Sequence, residues 1–168
     1  SRRCPDLRWC IAGRNREKLE RLRESLDMTE STRQPSIRVG NGTDPRDARD
    51  IVANSSVVIS TAGPFLDYSK EIVNACLESG SHYVDITGET PFVRDMLDRG
   101  HHERAQRKGI YIVPGCGFDS VPSDIGTFAV VRKIRELTGG GETSRVRCYA
   151  TLNGKLSGGT VGTFVRMH

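Results

Sequence analysis

The sequence predicts an α/β protein built on a doubly wound, mostly parallel sheet. Three observations carry that expectation. Short apolar runs alternate with stretches of helical periodicity, glycine and proline mark the junctions, and small polar residues gather where the apolar runs end. A length of 168 residues suits about one domain. A hydrophobic content of 36% with 18 glycines fits a turn-rich α/β chain, and the 27% of charged residues are dispersed, which argues against disorder.

Strands are expected over residues 7–12, 36–39, 57–61, 82–86, 110–113 and, after a glycine-rich break, 145–152. Residues 15–26 read as an amphipathic helix, with Leu19, Leu22 and Leu26 on one face and Glu17 four residues before Arg21 on the other. Residues 27–35 form a surface connection. Residues 67–79 read as a helix whose buried stripe is Ile72, Val73, Cys76 and Leu77, ended by Gly80 in a left-handed turn. Thr90-Pro91 is a cap followed by proline at the first helical position, and Phe92, Val93, Met96 and Leu97 supply the apolar face as far as Gly100. A shorter helix follows over residues 101–107. The helix over residues 120–136 has Pro122 near its start and Ile125, Phe128 and Ala129 facing inward. Gly139-Gly140-Gly141 then marks an internal boundary, dividing a first domain (1–140) from the start of a second, α+β domain (141–168).

Several function classes are disfavoured. The formal charge of +4 comes from arginines interleaved with acids, with no accompanying aromatic-basic motif, so a nucleic-acid partner is not expected. Cysteines 4, 10, 76, 116 and 148 form no C-x-x-C pair and are odd in number, which suggests neither a zinc site nor a closed disulfide set and fits a reducing compartment. His82, His101 and His102 make no metal set; the last two read as exposed helix histidines, and Cys116 as a small buried residue in a tight loop. No apolar run approaches the roughly 18 residues that span a bilayer. The chain begins without methionine and reads as an internal piece of a longer one.

Chemistry concentrates where strands end. Arg14 and Asn15 follow the first apolar run, where a dinucleotide-binding fold meets the adenosine ribose. A carboxylate there bonds the 2′-hydroxyl, whereas an arginine accommodates a 2′-phosphate, so Arg14 points to NADP, with NAD the alternative. Asn41-Gly42-Thr43-Asp44 ends the next run. Asp44 either lies beside the adenine or caps the helix beginning at Pro45, and one side chain can do both. Thr61-Ala62-Gly63-Pro64-Phe65 ends the third run, and its small residues let backbone approach a flat cofactor. Asp85, Glu89, Asp119 and Asp124 are four carboxylates at successive strand ends. Asp119 and Ser120 cap the helix near Pro122 or line a cleft, and Asp124 sits in its first turn.

The segments Ser60 to Phe65, His82-Tyr83-Val84-Asp85-Ile86-Thr87-Gly88-Glu89 and Gly115-Cys116-Gly117-Phe118-Asp119-Ser120-Val121-Pro122-Ser123-Asp124 together resemble the saccharopine dehydrogenase-like oxidoreductases and the related trans-acting enoyl reductases. The resemblance implies a Rossmann-type nucleotide-binding sheet followed by a substrate domain. It further implies that Ala62, Gly63, Pro64 and Phe65 flank the nicotinamide, while Thr87, Gly88, Glu89 and the loop carrying Gly117, Phe118 and Asp119 line the reaction cleft. No catalytic acid or base is singled out.

In the strand order of that fold, the first strand lies centrally, between the runs ending at Ala12 and Thr61, and no residues before Leu7 supply it or its glycine-rich phosphate loop. The first domain is therefore expected to be partial and, alone, to bind NADP(H) weakly. The expected activity of the whole protein is hydride transfer between nicotinamide and a carbonyl, imine or activated alkene, acting on a small-molecule or lipid-related substrate. The alternative is a non-catalytic scaffold, either nucleotide-binding or associated with a membrane or lipid droplet. A homodimer through the second domain and a cytoplasmic or lipid-droplet location complete the expectations.

Overall fold

The computed structural model describes residues 7–26, 34–151 and 153. Its order begins β1 (Cys10–Gly13), α1 (Arg16–Ser25), β2 (Ser36–Val39), α2 (Pro45–Val52) and β3 (Val57–Ser60). It continues α3 (Phe65–Tyr68), α4 (Lys70–Ser79), β4 (His82–Asp85), α5 (Thr90–Asp98), α6 (His101–Lys108), β5 (Ile112–Val113) and α7 (Val121–Leu137). Every strand pair is parallel, as expected of crossover connections that each carry a helix.

The strands form two groups. β1 pairs with β2, Cys10 opposite Ser36, while β3, β4 and β5 pair in that order, with Val57 opposite His82 and Tyr83 opposite Ile112. Among the described residues β1 and β3 share no ladder, so their facing edges border a groove. Helices join the two groups: Ala48 and Val52 of α2 are completely buried and belong to the same apolar cluster as Ile72, Val73, Cys76 and Leu77 of α4. Tyr83, Phe92, Met96, Ala105 and Ile110 extend that cluster beneath β4 and β5. Burying each large aliphatic or aromatic group is worth about 1.5–3 kcal/mol, so this cluster is the main support of the fold.

Local signals explain the helix limits. Asn15 caps α1 by accepting from Lys18 N (2.9 Å), and Gly80 closes α4 at φ 80°, a left-handed turn that glycine adopts without a Cβ penalty. Arg38 donates from β2 to the Ile51 carbonyl (2.6 Å), satisfying the end of α2.

Several expectations need correction. The helix expected over residues 67–79 is two helices, because the chain turns at Ser69, which is fully buried beneath the β3 end. Strands β1 and β5 are shorter than their apolar runs. The strand expected over residues 145–152 does not form through residue 151, since no described edge receives it. Ile125, Phe128 and Ala129 of α7 face solvent, with Phe128 61% exposed; apolar spacing buries a face only where a layer exists to meet it. His101 is only 5% exposed rather than on the surface, because it lies one turn before Ala105 on the face that meets α5. Cys116 is exposed, not buried.

Among the described residues no helix is long and apolar enough to cross a membrane.

Candidate cofactor groove

Three parallel strands deliver their carboxyl ends to one place. The turns Gly13-Arg14 after β1, Gly40 to Thr43 after β2 and Thr61 to Gly63 after β3 line a groove of about 420 Å³ lying between the facing β1 and β3 edges, with Tyr68 and Ile72 on its far side. Open α/β sheets place ligands at such carboxyl ends, where strand order reverses.

The turn after β2 is tightly ordered. The Asp47 carboxylate accepts from Asn41 N (2.7 Å), and the Asn41 side chain accepts from Thr43 N (3.3 Å). Gly42 lies in close approach, since a Cβ there would come 3.3 Å from Ile72 Cγ1 and 3.5 Å from the Tyr68 carbonyl and would press the Ile72 side chain aside. Asp44, outside the groove lining, caps α2, accepting from Arg46 N (2.8 Å) and Asp47 N (3.2 Å). Those backbone N–H bonds, Asp47 first, hold its carboxyl below the usual value.

Across the groove, the Arg14 guanidinium carbon lies 5.4 Å from the centre of the Tyr68 ring. This contact joins the β1 side of the groove to the β3 side. The turn after β3 contains a cis Gly63–Pro64 bond and leads directly into α3. Phe65 is buried, its ring packed under Gly63 and 6.3 Å from that of Phe92.

A second cleft of about 380 Å³ opens beyond β4 and β5, lined by Thr87, Gly88, Glu89, Thr90, Pro114, Gly115, Ser120 and Asp124, among others. Two buried carboxylates hold it together. Asp85, with no exposure, accepts from Tyr83 OH, Thr87 N and Gly115 N, each at 2.9 Å, and so ties the β4 turn to the β5 turn. Glu89 accepts from Phe65 N (2.8 Å) and Leu66 N (2.9 Å), tying the β4 turn back to α3. Burial, reinforced by the Asp85 charge, pushes the Tyr83 phenol well above its ordinary value, so it remains a donor. Asp119 lies over both Gly88 and Gly117, where an added Cβ would approach a carboxylate oxygen to 3.0 Å.

Of the residues singled out from sequence, the groove brings together Arg14, Thr61, Ala62 and Gly63, and the second cleft brings together Gly88 and Glu89. Asn15 and Asp44 are helix caps outside the groove lining. Pro64 shapes the turn, Phe65 packs in the core, Gly117 is buried and Phe118 is 80% exposed. Ser120 occupies the cap position of α7 but its hydroxyl makes no capping bond, so neither it nor Asp119 serves as a side-chain cap. Tyr68 escaped the sequence reading. Read as part of one long helix, it carried no positional signal; the break at Ser69 is what directs it to the groove.

Comparison with known proteins agrees with this geometry. Residues 1–113 match the model of the saccharopine dehydrogenase NADP binding domain. The chain is 35% identical over 163 residues to a Mycobacterium tuberculosis protein whose name assigns it provisionally as a trans-acting enoyl reductase, covering 96% of this chain and 38% of that protein. It is 33% identical over 155 residues to the saccharopine dehydrogenase-like oxidoreductase of Bos taurus (90% and 35%). With the trans-acting enoyl reductase of Mycobacterium leprae it shares 34% identity over 129 residues (77% and 30%). The chain thus spans about a third of the length of these relatives. The parallel α/β architecture, the groove at the strand ends and the match over residues 1–113 place the chain in the family of the saccharopine dehydrogenase NADP-binding domain.

Proposed function

We propose that the protein is an NADP-dependent oxidoreductase that moves hydride between the nicotinamide and a carbonyl, imine or activated alkene. The observation that carries this reading is the groove rim. There an arginine, not a carboxylate, follows β1, and among the described residues no acid lies within 4.0 Å to neutralise it. A carboxylate at that position would favour the ribose hydroxyl of NAD; Arg14 offers in-plane donors to a 2′-phosphate. The residues present therefore fit the adenosine end of NADP, with Asn41 and Thr43 beside it and the Thr61 to Gly63 turn leading toward the second cleft.

When bound, NADP supplies the hydride chemistry. The chain's own residues bind and orient. Thr61, Ala62 and Gly63 give a narrow wall that backbone can bring close to a planar ring, and Asp85 and Glu89 keep the neighbouring turns in register with it. The second cleft, bordered by Thr87, Gly88 and Ser120, is where the substrate sits. The names of the mycobacterial relatives favour the activated alkene among the three acceptor classes.

The test is a titration of the full-length protein with NADPH and with NADH, beside an Arg14→Ala variant. NADPH should bind more tightly, and the variant should weaken NADPH about tenfold to a hundredfold, the worth of a hydrogen bond to a charged group, while leaving NADH unchanged. Equal affinities in the wild type would refute the role of Arg14. Failure to bind either nucleotide would refute the oxidoreductase reading in favour of a non-catalytic scaffold.

A further inference from the structure

We propose that Tyr68 is a specificity-determining positioning residue: its ring holds the Arg14 guanidinium at the groove rim, and this sets the preference for the phosphorylated dinucleotide. The inference rests on the reading of Arg14 given above.

The two residues come from different parts of the fold. Arg14 follows β1, in the two-stranded group, whereas Tyr68 ends α3, after β3 in the three-stranded group, yet the guanidinium carbon lies 5.4 Å from the ring centre. Several surface arginines are oriented by acids, Arg16 by Glu20, Arg21 by Glu17, Arg49 by Glu78 and Arg94 by Asp98, while others are not. Arg14 has no such partner among the described residues. A carboxylate would compete with an incoming phosphate for the guanidinium N–H groups. An aromatic ring presents no acceptor oxygen to occupy those N–H groups, which stay available for bidentate contact with phosphate oxygens. The arrangement orients the cation without satisfying it.

Tyr68 is also the better anchored of the pair. The Glu89 carboxylate holds Phe65 N and Leu66 N at the start of α3, Tyr68 N donates to the Pro64 carbonyl (3.1 Å), and the next residue, Ser69, is fully buried. Arg14 is exposed on a long side chain that carries about 2 kcal/mol of rotamer entropy. Holding it against a fixed ring reduces the ordering cost that phosphate binding must otherwise meet.

The experiment measures NADPH and NADH affinities by nicotinamide fluorescence for the full-length wild-type protein, Tyr68→Leu, Tyr68→Phe and each combined with Arg14→Ala. Tyr68→Leu should lower the NADPH-over-NADH preference about two- to fivefold, the fold-change of a cation–π contact at an exposed site, through NADPH alone. Tyr68→Phe, which keeps the ring, should restore the wild-type ratio. In the Arg14→Ala background, Tyr68→Leu should change nothing further. The proposal is overturned if Tyr68→Leu weakens both nucleotides equally, which would mean that the ring contacts the part they share, or if its effect persists without Arg14. Failure of the underlying reading shows separately, as a wild-type protein with no preference for NADPH.

Discussion

Asp85 offers the sharpest test of how the two clefts are held together. Its carboxylate is wholly buried, has no cationic partner among the described residues, and accepts three hydrogen bonds, from Thr87 N, Gly115 N and Tyr83 OH, all at 2.9 Å. Asp85→Asn keeps the shape. Its carbonyl oxygen can still accept from the two backbone N–H groups that share Oδ1, and its amide can donate to a Tyr83 hydroxyl that has turned round. Each of the three partners stays bonded, and the weaker neutral bonds are offset by no longer burying a charge. The expected cost is about 1 kcal/mol. Asp85→Ala instead leaves two backbone donors and a hydroxyl without partners, at about 1–3 kcal/mol each, for a total near 3–5 kcal/mol after partial relaxation. Urea unfolding followed by far-ultraviolet circular dichroism measures both, provided the slope with denaturant is unchanged. Equal losses for the two variants, or a loss below about 1 kcal/mol for alanine, would refute the claim that these bonds organise the strand-end turns.

Two further outcomes follow from the same physical reasoning. Glu89→Ala removes the acceptor for Phe65 N and Leu66 N and should cost about 2–4 kcal/mol, seen as a fall in Tm of roughly 5–15 °C, with Glu89→Gln losing about half as much; a shift under about 2 °C for alanine would show that α3 does not depend on this carboxylate. Burial, then the nearby Arg104 and Arg99 charges, pushes the His101 imidazole below its ordinary value of 6.5, against a smaller opposing pull from Asp95. The fold therefore favours the neutral ring and the unfolded chain binds the proton more readily, so this contribution is intact above about pH 6.5 and is lost as pH falls below it; the urea midpoint should drop between about pH 7 and about pH 5 more steeply in the wild type than in His101→Leu.

Much of this arrangement was legible in the sequence, for definite physical reasons. Alternating apolar runs and helical spacing located all five observed strands, because a buried parallel strand has few other ways to be written. Gly80 and Asn15 acted as their chemistry requires, one closing a helix and the other opening one. Glycine and small residues at strand ends identified the groove wall from Thr61 to Gly63. What stayed hidden depends on tertiary placement. Asp85 and Glu89 could be seen as carboxylates near strand ends, but the backbone N–H groups that they accept from lie 23 to 30 positions away or in the adjoining turn, outside any local pattern. The inward turn of His101 depends on the left-handed Gly100 between α5 and α6. The apolar residues of α7 show the converse: a correct helical pattern from which burial was wrongly inferred.

The seam between the two strand groups has a consequence for how stability is distributed. The main apolar cluster runs from α2 to Ile110 but takes no residue of β1, α1 or β2, where Leu19 is the buried aliphatic side chain among the described residues. That amino-terminal unit is thus held by less apolar contact than the central elements, and its amides should exchange with solvent before those of α4 and β4. It also carries Arg14. A ligand lying in the groove touches both groups at once and acts as a staple across the seam, so saturation at about a hundred times its Kd would add about 2.7 kcal/mol and concentrate the gained protection in that amino-terminal unit.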